Sequence, residues 1–519
     1  MRAATFLQAL ALAMFLFFAG TARATDVPPS RTADVLLEGT LDGRDHQRYR
    51  TVPFDVPAGT ERITVQFEYD GREHKTTVDL GLLGPGAFAT PQGFRGWSGG
   101  NKSLFTVSST DATPSYLSGT IEPGRWSLLL GIPNIRAGST SHYRARVWFG
   151  RAGEPVWQSG VSAPPLRPGE GWFRGDLHLH DAHSDGSCRS QSGAKVPCPV
   201  FLTAQAAVAR GLDFIAITDH NTTSHANAIR ELQPYFDQLL LMPGREITTF
   251  SGHANLFGSV APLDFRVAGS RDWNAVLRDA QGMQAFVSIN HPIRPSDERC
   301  MGCGWTPWPA ADLRLLQAVE VVNGMDADTP YSGIPFWHAQ LDAGHRLTAI
   351  GGSDNHDAAQ SLSGLGGGAV GQPTTVVHAS ELSTSAILDG LRSGNVFVDV
   401  QGSRDRAMSM RATSGTRTAA MGGAIALARG ETARFEVRTE QVTGARVVVW
   451  MDGKEAALLT NPIVASASQA FAFDWTGDGG DHWLRADVRG SDGKLWLVGN
   501  PVYMRGTAVR PGAESIEDK

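Results

Sequence analysis

Leu212-Asp213-Phe214-Ile215-Ala216-Ile217-Thr218-Asp219-His220-Asn221 is the stretch on which the fold turns. A continuous apolar run of this length predicts a strand buried on both faces, as in a parallel sheet. It stops abruptly in polar residues, two of them of metal-ligating type. The pattern recurs downstream. Ala285–Asn290 runs into His291-Pro292, Ala318–Asn323 into Gly324, and Leu347–Gly352 into Ser353-Asp354-Asn355-His356. Helix candidates at 199–210, 224–232, 272–281, 335–343 and 383–393 separate these strands. Alternating strand and helix predict a parallel α/β domain over 171–400, either a barrel or an open sheet. In such folds the C-terminal strand ends converge on one mouth, where active sites form.

Upstream, Gly175-Asp176-Leu177-His178-Leu179-His180 sets two imidazoles at i and i+2. On a strand both face the same way and can grip one cation. Ten of the fifteen histidines lie between Trp172 and Gln360, and histidine is the commonest metal ligand near neutral pH. Not every one is read as a ligand. His183 and His225 fit a supporting role or solvent equally well, and His338 and His345, on or after a helix, read as structural. Asp219 orients an imidazole or caps its strand end. Arg294 holds an anionic substrate group or lies on the surface. Trp305 and Trp308 read as loop packing.

Together these motifs resemble the polymerase and histidinol phosphatase (PHP) superfamily of metal-dependent phosphoesterases, over about residues 172–400. Asp176–Gly186 matches the first motif, Ile217–Asn221 the second, Asn290-His291-Pro292 the third and Gly352–His356 the fourth. Within it the chain looks most like the carbaryl-hydrolase (CehA/McbA-type) branch, through its N-terminal segment, Pro243-Gly244-Arg245-Glu246 followed by Gly252-His253, Val321-Val322-Asn323-Gly324, and flanking β domains. The resemblance implies a distorted (β/α)7 barrel holding two or three divalent ions. One ion would take His178, His180, Glu246 and Asp354. A second would share Glu246 as a bridge and take His253 and His291. A third would take Asp185, His220 and His356. Glu246, Asp219 and Arg294 are the candidate catalytic residues. Mixed imidazole and carboxylate donors suit Zn²⁺, Mn²⁺ or Fe²⁺. A hydroxide activated between two such ions would attack a phosphate ester, or an activated carboxylic or carbamic ester; the phosphoester is expected because the superfamily is mainly phosphoesterase. The sequence departs from the pattern at Asp181, where Ser or Thr is usual, and in a cysteine-bounded insertion, 188–198.

Other classes stay open. One is an exonuclease-type nucleotide phosphoesterase. Another is an envelope- or glycan-binding protein with a structural metal. Structural zinc is normally closed by four ligands per ion, so nine ligands for three ions favour catalysis.

Around this centre, 519 residues, 41% hydrophobic and 19% charged, exclude wholesale disorder and predict several domains. Residues 26–165 alternate as strands do, at Ile63, Val65, Phe67 and Tyr69 and at Tyr143, Ala145, Val147 and Phe149, and predict a β-sandwich or jelly roll. Ala163–Gly169 reads as a linker, and 405–505 as a second sandwich. Residues 1–24, with Arg2, an apolar run and Ala22-Arg23-Ala24, read as a signal peptide, so an exported protein, periplasmic or secreted and without a membrane span after signal removal, is expected. Removing Arg2 and Arg23 takes 46 basic residues to 44 against 52 acidic ones, and the net charge from −6 to −8. That argues against a stable nucleic-acid partner, and the expected partner is a small ester or phosphoester substrate. The oligomeric state stays open. An oxidising compartment predicts disulfides, with Cys188–Cys198 and Cys300–Cys303 as the local pairing; a four-cysteine zinc cluster is the rival.

Overall fold

The apolar run at 214–217 is the second strand of a sheet that curls around the predicted mouth. The structure, a computed structural model, describes residues 28–151, 164–298, 300–360 and 368–507. The proposed signal segment lies outside them. The sheet's strands are β1 (Arg167–Leu179), β2 (Phe214–Ile217), β3 (Leu240–Thr249), β4 (Gly252–Phe257), β5 (Phe286–Ile289), β6 (Ala318–Asn323), β7 (Thr348–Gly352), β8 (Thr374–Leu382) and β9 (Val396–Asp399). Their spatial order is β7-β6-β5-β4-β3-β2-β1-β8-β9. Leu179, at the end of β1, forms a parallel bridge to Asn355, just past β7, and the Ser353 N–H donates to Asp176 at 3.0 Å. The first and seventh strands therefore meet at the mouth.

Five helices are found among the described residues: α1 (Val200–Arg210), α2 (Ala226–Leu232), α3 (Trp273–Gly282), α4 (Ile334–Asp342) and α5 (Thr384–Ser393). Local chemistry sets their ends. The Asp272 carboxylate accepts from Ala275 N–H at 2.9 Å and the Ser383 hydroxyl from Ala386 N–H at 3.3 Å, each capping a helix start. Gly211 and Gly394, at φ 74° and 71°, close α1 and α5 in the left-handed region.

The expected (β/α)7 barrel is not what forms. β3 turns into β4 through Phe250-Ser251 alone, which leaves no room for a crossover helix. Asn290–Gln317 carries only a short 3-10 turn at Leu313–Leu315 among its described residues. β3–β4, β4–β5 and β1–β8 pair antiparallel, while β1–β2, β2–β3, β5–β6 and β6–β7 pair parallel. One face of the curl buries Leu177, Phe214, Met242, Phe257, Phe286 and Ile350 with Ile387, Leu388 and Leu391 of α5. The other face packs against α1, α3 and α4, through Ala204, Trp273 and Trp337.

Two domain boundaries also differ from expectation. The last three residues of the predicted linker, Arg167–Gly169, are strand: Arg167 pairs with Leu382 and Pro168 with Glu381, beside a bulge that tolerates the missing proline donor. Nor does the sheet stop near 400. Phe397–Asp399 pairs with Leu497–Gly499, so the central sheet continues into the C-terminal β region. That region closes over its own core of Phe435, Val437, Val449, Phe471 and Leu484. At the N-terminus, two four-stranded sheets enclose Ile63, Val65, Phe105, Trp126 and Val147. α2 is tied to them: Arg230 reaches Asp111 at 2.6 Å, and the Ala112 N–H donates to Asn227 at 3.0 Å. Among the described residues, no helix is long and apolar enough to cross a membrane.

Candidate metal centre

The end of β1 does the first part of the assembly. Its pairing with β2 slips between Asp176 and Leu179, so Leu177 and Leu179 enter different cores, while His178 and His180, both fully buried, turn toward the same carboxylates. Glu246 lies on β3 beside them, and His253 follows across the β3–β4 hairpin. His291 and Asp354 each stand one residue beyond a strand end, after Asn290 and Ser353, with positive φ of 27° and 52°. A non-glycine residue in this region carries strain of about 1–3 kcal/mol, the kind of cost that concentrates at functional sites.

Glu246 is the hub. Its carboxylate lies 3.5 Å from His178 Nε2, 3.8 Å from His180 Nε2, 2.7 Å from His220 Nδ1, 3.3 Å from His253 Nδ1 and 3.5 Å from His291 Nε2. Asp354 Oδ1 is 3.3 Å from both His178 Nε2 and His180 Nε2. Asp185 Oδ1 is 3.6 Å from His220 Nε2 and 3.4 Å from His356 Nε2. All nine residues expected from sequence thus gather at one mouth. Their donor atoms form overlapping groups: His178 with His180 and Glu246; His178 with His291 and Asp354; Glu246 with His253 and His291; and Asp185 with His180, His220 and His356. The last group contains one histidine more than expected. A further cluster, His253 with Cys300 and Cys303, offers no sulfur ligand because those cysteines are bonded to each other.

The donor set fits a cation. The buried Nε2 atoms of His178, His180 and His253 make no hydrogen bond among the described residues, although an unpaired polar atom in a dry interior is costly. Elsewhere the second ring nitrogen is held from outside. His178 Nδ1 meets Glu320 Oε1 at 3.0 Å, His291 Nδ1 the Cys303 carbonyl at 2.9 Å, and His356 Nδ1 the Asp354 carbonyl at 2.9 Å. Such contacts fix ring orientation and tautomer and turn the other nitrogen toward the centre. Burial alone would raise the Glu246 and Asp354 carboxyls, but the surrounding imidazoles hold both well below the usual carboxylate range. Burial pushes His180 down to about 4.

The other two candidates differ in position. Arg294 lines the mouth, with Nε 2.9 Å from Asp326 and Nη1 3.4 Å from Asp354. Asp219 lies behind the imidazoles: it accepts from Asp181 N–H at 3.0 Å and Ser184 Oγ at 2.5 Å and meets His225 Nδ1 at 3.0 Å. Burial and the neighbouring Asp219 carboxylate push the Asp181 carboxyl up to about 8.

Sequence reasoning missed three supporting residues. Glu320 accepts from the His291 backbone N–H at 3.0 Å as well as facing His178. Asn290 Nδ2 donates to Glu246 at 2.8 Å. Asp176 accepts from the Ser353 and Gly371 N–H groups and joins the two strands that meet at the mouth. The available signal was a lone carboxylate inside the apolar run Ala318-Val319-Glu320-Val321-Val322.

The mouth opens into a cavity of about 1230 Å³, lined by His220, Glu246, Arg294, Met325, Tyr331, Asp354 and His356. Beside it, the expected Cys188–Cys198 bond is absent. The hairpin Ser187–Arg189/Lys195–Pro197 sets Cys188 opposite Val196, and the Cys198 N–H donates to the Gly186 carbonyl, with the two thiols in contact but unbonded. Both are buried free thiols, and burial next to Cys188 pushes Cys198 up to about 12. The Cys300–Cys303 bond is present.

No family model and no curated protein matches the chain. Among solved structures it is similar to a two-domain protein from Bacteroides vulgatus containing a predicted PHP-like metal-dependent phosphoesterase, at 17% identity and TM-score 0.36, over 66% of this chain and 97% of that one. It is also similar to fibronectin(III)-like modules of Clostridium thermocellum CbhA, at 13% identity and TM-score 0.13, over 17% of this chain and 91% of that one.

Proposed function

We propose that the chain is an exported metal-dependent hydrolase of PHP type that cleaves phosphate esters and holds two or three divalent ions, Zn²⁺, Mn²⁺ or Fe²⁺. One observation carries the reading: Glu246 stands within 4 Å of five imidazoles, two of the site's inward ring nitrogens, His178 Nε2 and His180 Nε2, have no hydrogen-bond partner among the described residues, and the group opens into a cavity. His178, His180, Glu246 and Asp354 would hold one ion, Glu246, His253 and His291 a second, and Asp185, His220 and His356 a third, with His180 within reach. Bound there, the ions supply an activated water and a Lewis acid for the ester oxygens.

The protein's own part is positioning. Glu320, the Cys303 carbonyl and the Asp354 carbonyl hold three imidazoles in one tautomer each, so the inward nitrogens stay available as donors. Asn290 fixes one oxygen of Glu246. Arg294, held by Asp326 and Asp354, presents a cation to the cavity and would orient the anionic ester. The carbaryl-hydrolase-type resemblance makes a carboxylic or carbamic ester the alternative, and the apolar wall of Pro295, Met325 and Tyr331 would suit an aryl group. Metal analysis of the purified protein, with turnover of phosphate mono- and diesters against aryl esters, tests both. Two or more equivalents of metal with phosphoester turnover are expected. A metal-free protein that is active overturns the metal reading, and turnover of aryl esters alone overturns the phosphoester one.

A further inference from the structure

We infer that the hairpin at 187–197 is an anion-binding arm, and that the substrate carries a second negatively charged group, beyond the scissile ester, held by Arg189 and Lys195. The inference rests on reading the site as an ester hydrolase.

Arg189 and Lys195 stand directly opposite each other in the two-stranded ladder. Like charges opposed in this way destabilise a ladder, and an isolated two-stranded hairpin is already marginal. Neither side chain makes an ion pair among the described residues. Alternation places them with Ser187 on one face while Cys188 is buried on the other, and Ser187, Arg189 and Lys195 all line the cavity. Two carboxylates nearest the arm have partners of their own. Asp185 faces His220 and His356, and Asp357 accepts the Ala359 N–H at 3.0 Å.

The arm is anchored to the candidate centre. Ser187 N–H and Oγ donate to the His356 carbonyl at 2.8 and 2.9 Å, and Ala358 N–H donates back to Ser187 at 3.0 Å. Arg189 is two residues along, roughly 7 Å at strand rise. A substrate whose ester lies between Glu246 and Asp354 therefore has a second anionic group within reach of two cations. A cavity of about 1230 Å³ has ample room for both groups.

The test compares butane-1,4-diol bisphosphate with butane-1,4-diol monophosphate, which share the scissile ester and differ only in the second anion. In the Arg189→Ala/Lys195→Ala double variant, the ratio of kcat/KM for bisphosphate over monophosphate should fall at least tenfold. The fall should come through KM, Arg189→Lys should recover much of it, and 0.5 M NaCl should shrink it. An unchanged ratio overturns the arm. If the metal-loaded wild-type protein turns over neither compound nor any phosphate diester, the phosphoester reading fails by itself. Calorimetric titration of the bisphosphate into metal-loaded wild type and double variant then decides the arm alone. At least tenfold weaker binding by the variant supports it; equal affinity, or no binding by wild type, overturns it.

Discussion

Glu320 holds His178 from behind: its Oε1 lies 3.0 Å from His178 Nδ1, deep in the sheet and away from the cavity. Its Oε2 takes the backbone N–H of His291 at 3.0 Å. One carboxylate thus sets the orientation of two candidate ligands on strands far apart in sequence. Glu320→Gln keeps the shape but replaces the acceptor at one oxygen. Metal affinity or activity should fall by about 10–100-fold while the fold persists. Metal titration followed by activity, with circular dichroism as the control, checks this, and wild-type metal affinity and activity would refute it.

Glu246 lies within 4 Å of five imidazoles, so its loss should cost more than one ion. Glu246→Gln should lower bound metal by more than one equivalent and turnover by orders of magnitude, since an amide is a poor bridging ligand. Asp185→Asn touches only the outer group and should cost at most one equivalent. Elemental analysis of the two variants beside wild type reads the difference. Full metal and activity in a folded Glu246→Gln protein would require the centre to be redrawn.

Acid should loosen the contact between α4 and the C-terminal β region. His338 packs against Trp337, Trp450 and Trp483, and its Nε2 accepts from Arg485 Nε at 2.9 Å. Burial, then the Arg485 charge, pushes it down to about 3. The unfolded chain takes up this proton below about pH 6.5, so the unfolded state binds more protons between about 6.5 and 3. Stability from the neutral ring is present above that window and is lost as pH falls through it, by at most about 1.4 kcal/mol per pH unit. His338→Gln keeps an acceptor for Arg485 without a titrating ring. Thermal midpoints from pH 7 to 4.5 should fall more steeply for wild type than for the variant, and parallel profiles would exclude this linkage.

The cysteines make a count. Native protein without reductant should resist alkylation, unfolded protein without reductant should label two thiols, and unfolded protein with reductant four. Peptide mapping should place the first two at Cys188 and Cys198. No label in the unfolded, unreduced protein would show that the hairpin pair is oxidised after all.

Much of the centre was legible because its ligands are carried by local signals. His178 and His180 stand two residues apart at the end of one strand, and His220, His291, Asp354 and His356 follow apolar runs whose ends can be seen without any partner. Three of the five helices were equally plain: Asp272 and Ser383 cap the starts of α3 and α5, and Gly211 and Gly394 close α1 and α5. What stayed hidden depends on pairing between distant strands. Nothing local in Gly252–Phe257 distinguishes an antiparallel hairpin strand from a crossover element, and Glu320 looks like a misplaced charge until His178 and His291 stand beside it. Pro168 was read as a linker breaker because its partner, Glu381, is more than two hundred residues away. Spacing does bring Cys188 and Cys198 into contact, but says nothing about whether the two thiols are bonded.

The uninterrupted ladder from Phe397–Asp399 into Leu497–Gly499 has a consequence for how the molecule can be divided. A chain cut near residue 400 would keep the candidate ligands yet expose a row of unpaired amide and carbonyl groups along Val396–Asp399. Bare edges of that kind recruit other strands and lead to aggregation. The C-terminal β region therefore serves the central sheet as an edge protector along Val396–Asp399.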